Sequence, residues 1–338
     1  MNFINILNHI LRPLEWVVAQ LLTLFHHALV TFGMTAGPSP AWGIAIMCLV
    51  LVIRICLLPL FLSQMRAMQR IQVLQPQIQR IQHKYAARKD PRSKEAMQRE
   101  IMALQQRYNA NPLGSCLSSL IQAPILCSLF YTLQSLPAIA DGNAEPLGGI
   151  DHTMAGDIES SSIFGVRIAD SFGTVASPQS RIIIGVAVAL MCLTLFAIQW
   201  MLIHRNTSKD AMVSPQFRVQ KMTVFVFPAI YVVSGATLPF GVLLYWLTNN
   251  LWNLGQTLCQ LRWFPTPGSA AGERKARRDY EQDNRRRAAA GLPSLEEERA
   301  MAAREEAKAR REREKSAASR NRKQHKTPHL AKRSIVKR

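Results

Sequence analysis

The chain has 338 residues, 48% of them hydrophobic, and its formal net charge is +19. The mean hydropathy is close to zero, but this average combines two kinds of segment. Strongly apolar residues fill 41–62, 113–137, 181–203 and 219–261, and charged residues fill 63–112 and 263–338. Apolar runs of about 20 residues are typical of transmembrane helices. The composition therefore excludes an ordinary soluble domain and predicts a membrane protein with charged segments in water.

The first segment, residues 1–34, is apolar but carries one polar stripe. Its polar residues recur at steps of three to five and are Asn8, Arg12, Glu15, Gln20, Thr23, His27 and Thr31. A helix with a single polar stripe tends to lie in the membrane interface instead of crossing it. We therefore expect an amphipathic helix on the outer surface, with a membrane anchor as the alternative.

Five transmembrane helices (TM) are predicted by the lengths of the apolar runs. Their ranges are TM1 41–62, TM2 113–137, TM3 181–203, TM4 219–236 and TM5 240–262. The charges between them predict the orientation, because positively charged loops stay in the cytosol. Residues 63–112 carry ten Lys/Arg and three Asp/Glu, whereas 138–180 carry six acidic residues and one basic residue. We therefore expect 63–112, 204–218 and the tail 263–338 in the cytosol and the loop 138–180 outside.

The cytosolic segment 63–112 has the pattern of an antiparallel coiled-coil hairpin. Its two apolar seams are Ile71, Leu74, Ile78, Ile81 and Tyr85, and then Met97, Ile101, Leu104 and Tyr108. Between them, Asp90 and Pro91 are suited to begin the second helix. Pro76 predicts a kink in the first helix. The basic outer faces are explained equally well by solvation beside the membrane and by a docking arm for a partner.

The tail 263–338 is basic, with 22 Lys/Arg and 11 Asp/Glu. Ser294 and Glu297 form a capping pattern that predicts a helix over about residues 295–316. The basic end is typical of a segment that is disordered alone and binds phosphates of anionic lipid or ribosomal RNA. The alternative is that the tail acts only as an orientation signal.

Arg54 is the exceptional residue of the apolar segments, because no Asp or Glu occurs in any of the five predicted spans. A charge deep in a bilayer costs several kcal/mol unless polar groups or water solvate it. Depth along each helix suggests the neutral groups that do so, at about 1.5 Å per residue. These candidates are Ser118, Ser119 and Gln122 in TM2 and Trp246, Asn249, Asn253 and Gln256 in TM5. The sequence thus predicts five helices around a hydrophilic groove that opens to the cytosol and is closed on the other side.

Three stretches resemble the YidC/Oxa/Alb membrane protein insertase family, in its five-span bacterial form. They are IRICLLPLFLSQMRAMQRIQVLQPQIQRIQHKY, NPLGSCLSSLIQAPILCSLFYTL and LPFGVLLYWLTNNLWNLGQ, in order over about residues 40–262. The resemblance implies a multi-pass protein of the bacterial cell membrane that inserts and helps fold membrane proteins, alone or with the Sec translocon. It implies that Arg54, Gln122 and Trp246 line the groove and that the hairpin engages substrates. It further implies nascent membrane proteins and the ribosome as partners.

This function needs no covalent chemistry, so we expect no enzyme, no catalytic residue and no cofactor. The six cysteines lie in apolar runs without a CxxC pair, which argues against a metal site. Two alternatives are a membrane tether for ribosomes or RNA and a small-solute transporter. The tether leaves Arg54 and the amides without a role. The transporter lacks the internal repeat and the intramembrane carboxylates that are typical of such proteins.

Overall fold

The structure is a computed structural model. It describes residues 3–88, 90–110 and 114–326, with side chains for 11–88, 90–110, 122–214 and 217–317. The helices in chain order are α1 (Phe3–Thr31), α2 (Ala41–Cys56), α3 (Leu58–Tyr85), α4 (Pro91–Arg107), α5 (Gly114–Ala140), α6 (His152–Ser160), α7 (Pro178–Asn206), α8 (Pro215–Thr237), α9 (Phe240–Trp263), α10 (Ala270–Ala289) and α11 (Leu295–Lys326). A short β-hairpin lies between α6 and α7, and its strands β1 (Ser162–Ile163) and β2 (Val166–Arg167) have two residues each. The fold is all-α, as the sequence predicts.

The helices that are long and apolar enough to cross a membrane differ from the five predicted spans at α1, which passes the test, and at α9, which does not. Four helices pass by length and hydropathy, and they are parts of α1, α5, α7 and α8. Helices α2 and α3 pass the same test only as a pair bent by 54°, which is the geometry of a broken span or of a re-entrant loop. Helix α9 does not pass, because its own amide stripe lowers its mean hydropathy. It is nevertheless the central helix, packed against α2 and α7, where neighbouring helices shield its polar groups from lipid.

Two adjoining apolar clusters hold α9 in the bundle. On one side Tyr245 packs with Leu49 of α2 and Leu129 of α5, and on the other Leu243 packs with Met191 of α7. Helix α8 packs mainly against α7, and its side chains that point away from α7 are exposed, for example Phe225 at 73%. An apolar surface of this kind is suited to contact with lipid. The bundle thus has a tightly packed centre and a peripheral α8.

The first predicted span is broken instead of straight. Helix α2 ends at Cys56, and α3 begins at Leu58 and continues to Tyr85. Pro59 lies in the first turn of α3, where a proline needs no backbone N–H partner. The break therefore falls just after Arg54. Helix α3 runs through Pro76, and the kink expected there stays a prediction.

The hairpin of α3 and α4 packs along the predicted seams. Leu74 and Ile78 of α3 are buried against Ile101 and Leu104 of α4. Lys84 and Glu100 form an exposed ion pair between the two helices, with Nζ and Oε2 at 2.9 Å. Exposed pairs of this kind add little stability, so the apolar seam holds the hairpin together.

Asp90 begins α4 as predicted, because its carboxylate accepts a hydrogen bond from the backbone N–H of Ser93 at 2.8 Å. Hydrogen bonds from the Ser93 side chain and backbone lower the pKa of Asp90. A lowered pKa means that the cap stabilises the hairpin above the ordinary pKa of aspartate and that this stabilisation is lost as the pH falls through the lowered value. We expect Asp90→Ala to speed hydrogen exchange in the first turn of α4 at neutral pH. Asp90→Asn is the control, since it caps without titrating, and equal exchange in all three proteins would contradict this role.

From Arg274 onward, the described part of the chain forms a separate compact unit. The predicted capping box is present, since Ser294 Oγ accepts from the N–H of Glu297 and Glu297 Oε2 accepts from the N–H of Ser294. Helix α11 extends to Lys326, beyond the predicted end at residue 316. Pairs four residues apart, such as Arg310 and Glu314 at 3.0 Å, support a helix with no apolar face. The last twelve residues, 327–338, lie outside the described part of the chain.

Candidate functional site

Arg54 lies in the last turn of α2, immediately before the bend into α3. Its guanidinium is half-buried and donates from Nε to Oδ1 of Asn249 at 2.7 Å, and Nη2 donates to the same oxygen. Asn249 is on α9, so this contact joins two helices that are far apart in sequence. A neutral amide oxygen orients the guanidinium without cancelling its charge.

No carboxylate of the described residues neutralises the charge of Arg54. Among the described residues, the ion pairs join groups of the loops, the hairpin and the tail, and none includes Arg54. A half-buried cation without a counter-ion is costly, and water or a visiting anion lowers that cost. The side chain is therefore suited to attract a negatively charged group.

A second polar contact lies on the same face of α9, about one turn before Asn249. Gln122 Nε2 of α5 donates to the hydroxyl of Tyr245, whose side chain is 1% exposed. The ring of Trp246 packs on Tyr231 of α8 with 4.8 Å between centroids. Helices α5 and α8 thus meet α9 within one turn of the residue that holds Arg54. We refer to Arg54, Gln122, Tyr245 and Asn249 as the Arg54 site.

The predicted groove residues are only partly brought together. Arg54 and Asn249 are in direct contact, and Gln122 and Trp246 are held by neighbouring tyrosines. Asn253 and Gln256 are half-buried one and two turns further along α9 and make no hydrogen bond to Arg54. The side chains of Ser118 and Ser119 lie outside the described ones, so their membership of the groove stays a prediction.

Three polar residues of this region were missed from the sequence: Tyr231, Tyr245 and Asn250. Tyr245 holds Gln122, Tyr231 holds Trp246, and Asn250 is 2% exposed with its Nδ2 unpartnered among the described residues. Tyr245 and Asn250 both stand in the stretch YWLTNN. Their proximity to Trp246 and Asn249 was a usable signal. Tyr245 lies four residues before Asn249 and continues the amide stripe on the same face of α9, whereas Asn250 lies on the adjacent face.

The chemistry available at the Arg54 site is binding, since it offers one permanent cation, amides and a phenol. In the described part of the chain, no group of three or more His, Cys, Asp or Glu side chains is arranged to hold a metal ion. The cation and the N–H donors favour a carboxylate or another anion. Reactive groups are not required for such a role.

Comparison with known proteins gives consistent matches over most of the chain. The family model described as 60Kd inner membrane protein matches residues 34–266. A membrane protein insertase YidC from Bifidobacterium longum is 44% identical over 306 residues, which cover 90% of each chain. The protein of that name from Streptomyces avermitilis is 34% identical over 79% of this chain and 61% of its own. That from Tropheryma whipplei strain Twist is 30% identical over 81% and 90%, respectively.

Proposed function

Because this chain belongs to the family of the 60Kd inner membrane proteins, we propose that it inserts membrane proteins by receiving their polar termini at the Arg54 site. Its function as a membrane protein insertase follows from relatives of that name that are up to 44% identical. It is a multi-pass bacterial membrane protein. The role of the individual residues is our inference from their contacts.

One observation carries the mechanism: Arg54 is oriented by the neutral Asn249 and keeps its charge available. A substrate whose polar terminus must cross the bilayer loses its hydration there, at a cost of several kcal/mol for each buried polar group. A carboxylate of that terminus would pair with Arg54, and amides and water would solvate its backbone. The terminus then has only the remaining, apolar part of the membrane to cross. No covalent step is involved.

The orientation that we propose follows the charges of the loops. The hairpin, the α7–α8 loop and the tail face the cytosol, since basic segments are retained there. The α5–α7 loop, which carries six acidic residues, faces outward. The Arg54 site is then reached from the cytosolic side.

Helix α1 is proposed to lie on the outer surface, although part of it is long and apolar enough to span. The acidic α5–α7 loop packs against its middle, where a Cβ added at Gly148 would lie 2.8 Å from the Trp16 carbonyl oxygen. A Cβ added at Gly149 would lie 2.5 Å from Thr23 Oγ1. A spanning α1 would bring this polar loop deep into the hydrocarbon, which is unfavourable.

The partners that we propose are nascent membrane proteins and the ribosome, with anionic lipid at the basic segments. Arginine and lysine in α10 and α11 supply a cationic surface for phosphates. Insertion proceeds alone or beside the Sec translocon. A pure ribosome tether and a small-solute transporter are the competing functions.

The decisive experiment is insertion of a single-span substrate into proteoliposomes that contain only this protein. Protease protection of the translocated terminus is the readout, and protein-free liposomes are the control. We expect protection with the full chain and reduced but measurable protection after deletion of residues 274–338. Loss of all insertion on that deletion would favour the tether. Solute flux without insertion would favour the transporter.

A further inference from the structure

A cavity of about 480 Å³ lies between the hairpin and the α7–α8 loop, away from the Arg54 site. Helix α3 forms its longest wall, α4 adds one side, and the α7–α8 loop with the start of α8 closes the other. The lining residues are Met68, Ile71, Gln72, Gln75, Ile78, Gln82, Ile101, Gln105, Thr207, Ala211, Ser214, Phe217 and Gln220. Its size is that of a ligand pocket.

The lining combines apolar side chains with five carboxamides, and the described residues place no charged side chain in it. This is unusual for its surroundings, because the segment 63–112 carries ten Lys/Arg. A glutamine carboxamide both donates and accepts hydrogen bonds without a net charge. A main-chain peptide group has the same properties.

Three glutamines of α3 bond to neighbouring segments, and one of them, Gln72 of the cavity lining, accepts from the N–H of Ser208 at 3.4 Å. Gln79 donates from Nε2 to the carbonyl of Asp210 at 2.7 Å, and Gln69 donates to the carbonyl of Phe264. These bonds fix the α7–α8 loop and the segment after α9 against the hairpin. They hold the cavity walls in place.

Gln75 has no such partner. Its side chain is only 8% exposed, it lines the cavity, and it makes no hydrogen bond within the described residues. The side chains of Gln82, Gln105 and Gln220 are half-buried, line the cavity and likewise make no hydrogen bond within the described residues. These carboxamides are therefore available to an occupant of the cavity that supplies donors and acceptors.

We propose that this cavity binds an uncharged, extended segment of the polypeptide being inserted, through hydrogen bonds from the glutamines to its main chain. A phosphate of lipid or RNA is disfavoured because the lining offers no cation. A substrate helix is disfavoured because its backbone groups are already paired and would leave the carboxamides unsatisfied. This assignment rests on the insertase function proposed above.

The position of the cavity is suited to binding a substrate segment before that segment reaches the Arg54 site. Met68 is on α3, the helix that continues from α2 through the bend, at about 20 Å of helix length beyond Arg54. An extended chain covers this distance with about six residues. One substrate segment is therefore able to occupy the cavity while the next reaches Arg54.

The test measures the affinity of the full-length protein, in nanodiscs of neutral phosphatidylcholine, for a short fluorescent peptide of alternating serine and leucine. We expect Gln75→Leu and Gln105→Leu each to weaken binding about fivefold, as the loss of one hydrogen bond predicts. Gln106→Leu is the matched control, because Gln106 is the exposed neighbour of Gln105 on the same helix. N-methylation of the peptide backbone should weaken binding to the native protein.

A photoreactive version of the peptide provides a second readout that needs no variant. Adducts on the lining residues of the cavity support the assignment, and adducts confined to the Arg54 site or to α8 beyond Gln220 overturn it. Equal affinity of all variants, or displacement by a short RNA or by anionic lipid, also overturns it. We expect Arg54→Ala to bind the peptide as the native protein does, because the cavity lies away from the Arg54 site. If the native protein inserts substrates but does not bind the peptide in the cavity, only the cavity proposal is refuted. If it binds the peptide but inserts no substrate, only the insertase function is refuted.

Discussion

Replacement of Arg54 by alanine is expected to lower insertion of a substrate with an acidic translocated terminus by about tenfold or more, since a hydrogen bond to a charged group contributes about 1.5–3 kcal/mol. The physical reason is that Arg54 is the only cation of the Arg54 site and is oriented by the neutral Asn249. A substrate with a charge-neutralised terminus should lose much less. Protease protection in proteoliposomes measures both rates.

Two further variants separate charge from geometry at this site. Arg54→Lys keeps the charge but loses the planar donor pair that meets one oxygen of Asn249, so we expect partial activity. Asn249→Leu keeps the charge and removes its orienting acceptor, and it should also fall between the native protein and Arg54→Ala. Equal insertion of the acidic substrate by Arg54→Ala and the native protein would show that the charge has no part in insertion.

Gly241→Leu is expected to cause the largest loss of stability of a single substitution in α9. A Cβ at this position would lie 2.7 Å from Ile168 Cγ2, 3.0 Å from Leu133 Cδ1 and 3.3 Å from Ile46 Cδ1. These side chains belong to three different segments, so the bundle cannot relax by moving one of them. Overpacking of a core typically costs about 1–3 kcal/mol. Thermal unfolding in detergent should show a clearly lowered midpoint.

Gly255→Leu is the matched control, because it makes the same change on the same helix. Nothing lies within 4 Å of a Cβ added at Gly255, and the residue is exposed. Both changes raise helix propensity alike, so the difference between them reports packing alone. If both proteins unfold at the same temperature, close packing at Gly241 does not determine the stability of the bundle.

Asn249 was among the amides that the sequence offered to Arg54, but the depth count favoured Asn253, one turn further along TM5. The same arithmetic placed Gln122 at a similar depth but missed its partner, Tyr245. The residue count gives the height of a side chain in the membrane, but it does not give the direction in which that side chain points around the helix axis. Direction depends on how α5 and α9 pack, which one sequence does not specify.

Two features of the fold escaped prediction for a related reason. An unbroken apolar run suggested one straight helix over 41–62, whereas the chain bends by 54° between Cys56 and Leu58. Apolar residues indicate that a segment contacts lipid or the protein core, but they do not indicate where the helix axis changes direction. Similarly, nothing in the sequence indicated that glutamines of α3 contact the α7–α8 loop, as Gln79 does through the carbonyl of Asp210. Contacts between distant segments supply the missing information.

A rotation of α3 about the bend at Leu57 would also move Arg54, which lies three residues before it. Helix α3 runs 28 residues from its fulcrum at Leu57, or about 42 Å at the rise of an α-helix. A rotation of about 10° there would carry its far end through about 7 Å, while atoms three residues before the fulcrum would shift by less than about 1 Å. A large movement at the far end of α3 would therefore become a small displacement of Arg54. Such a displacement is enough to lengthen the hydrogen bond between Arg54 and Asn249.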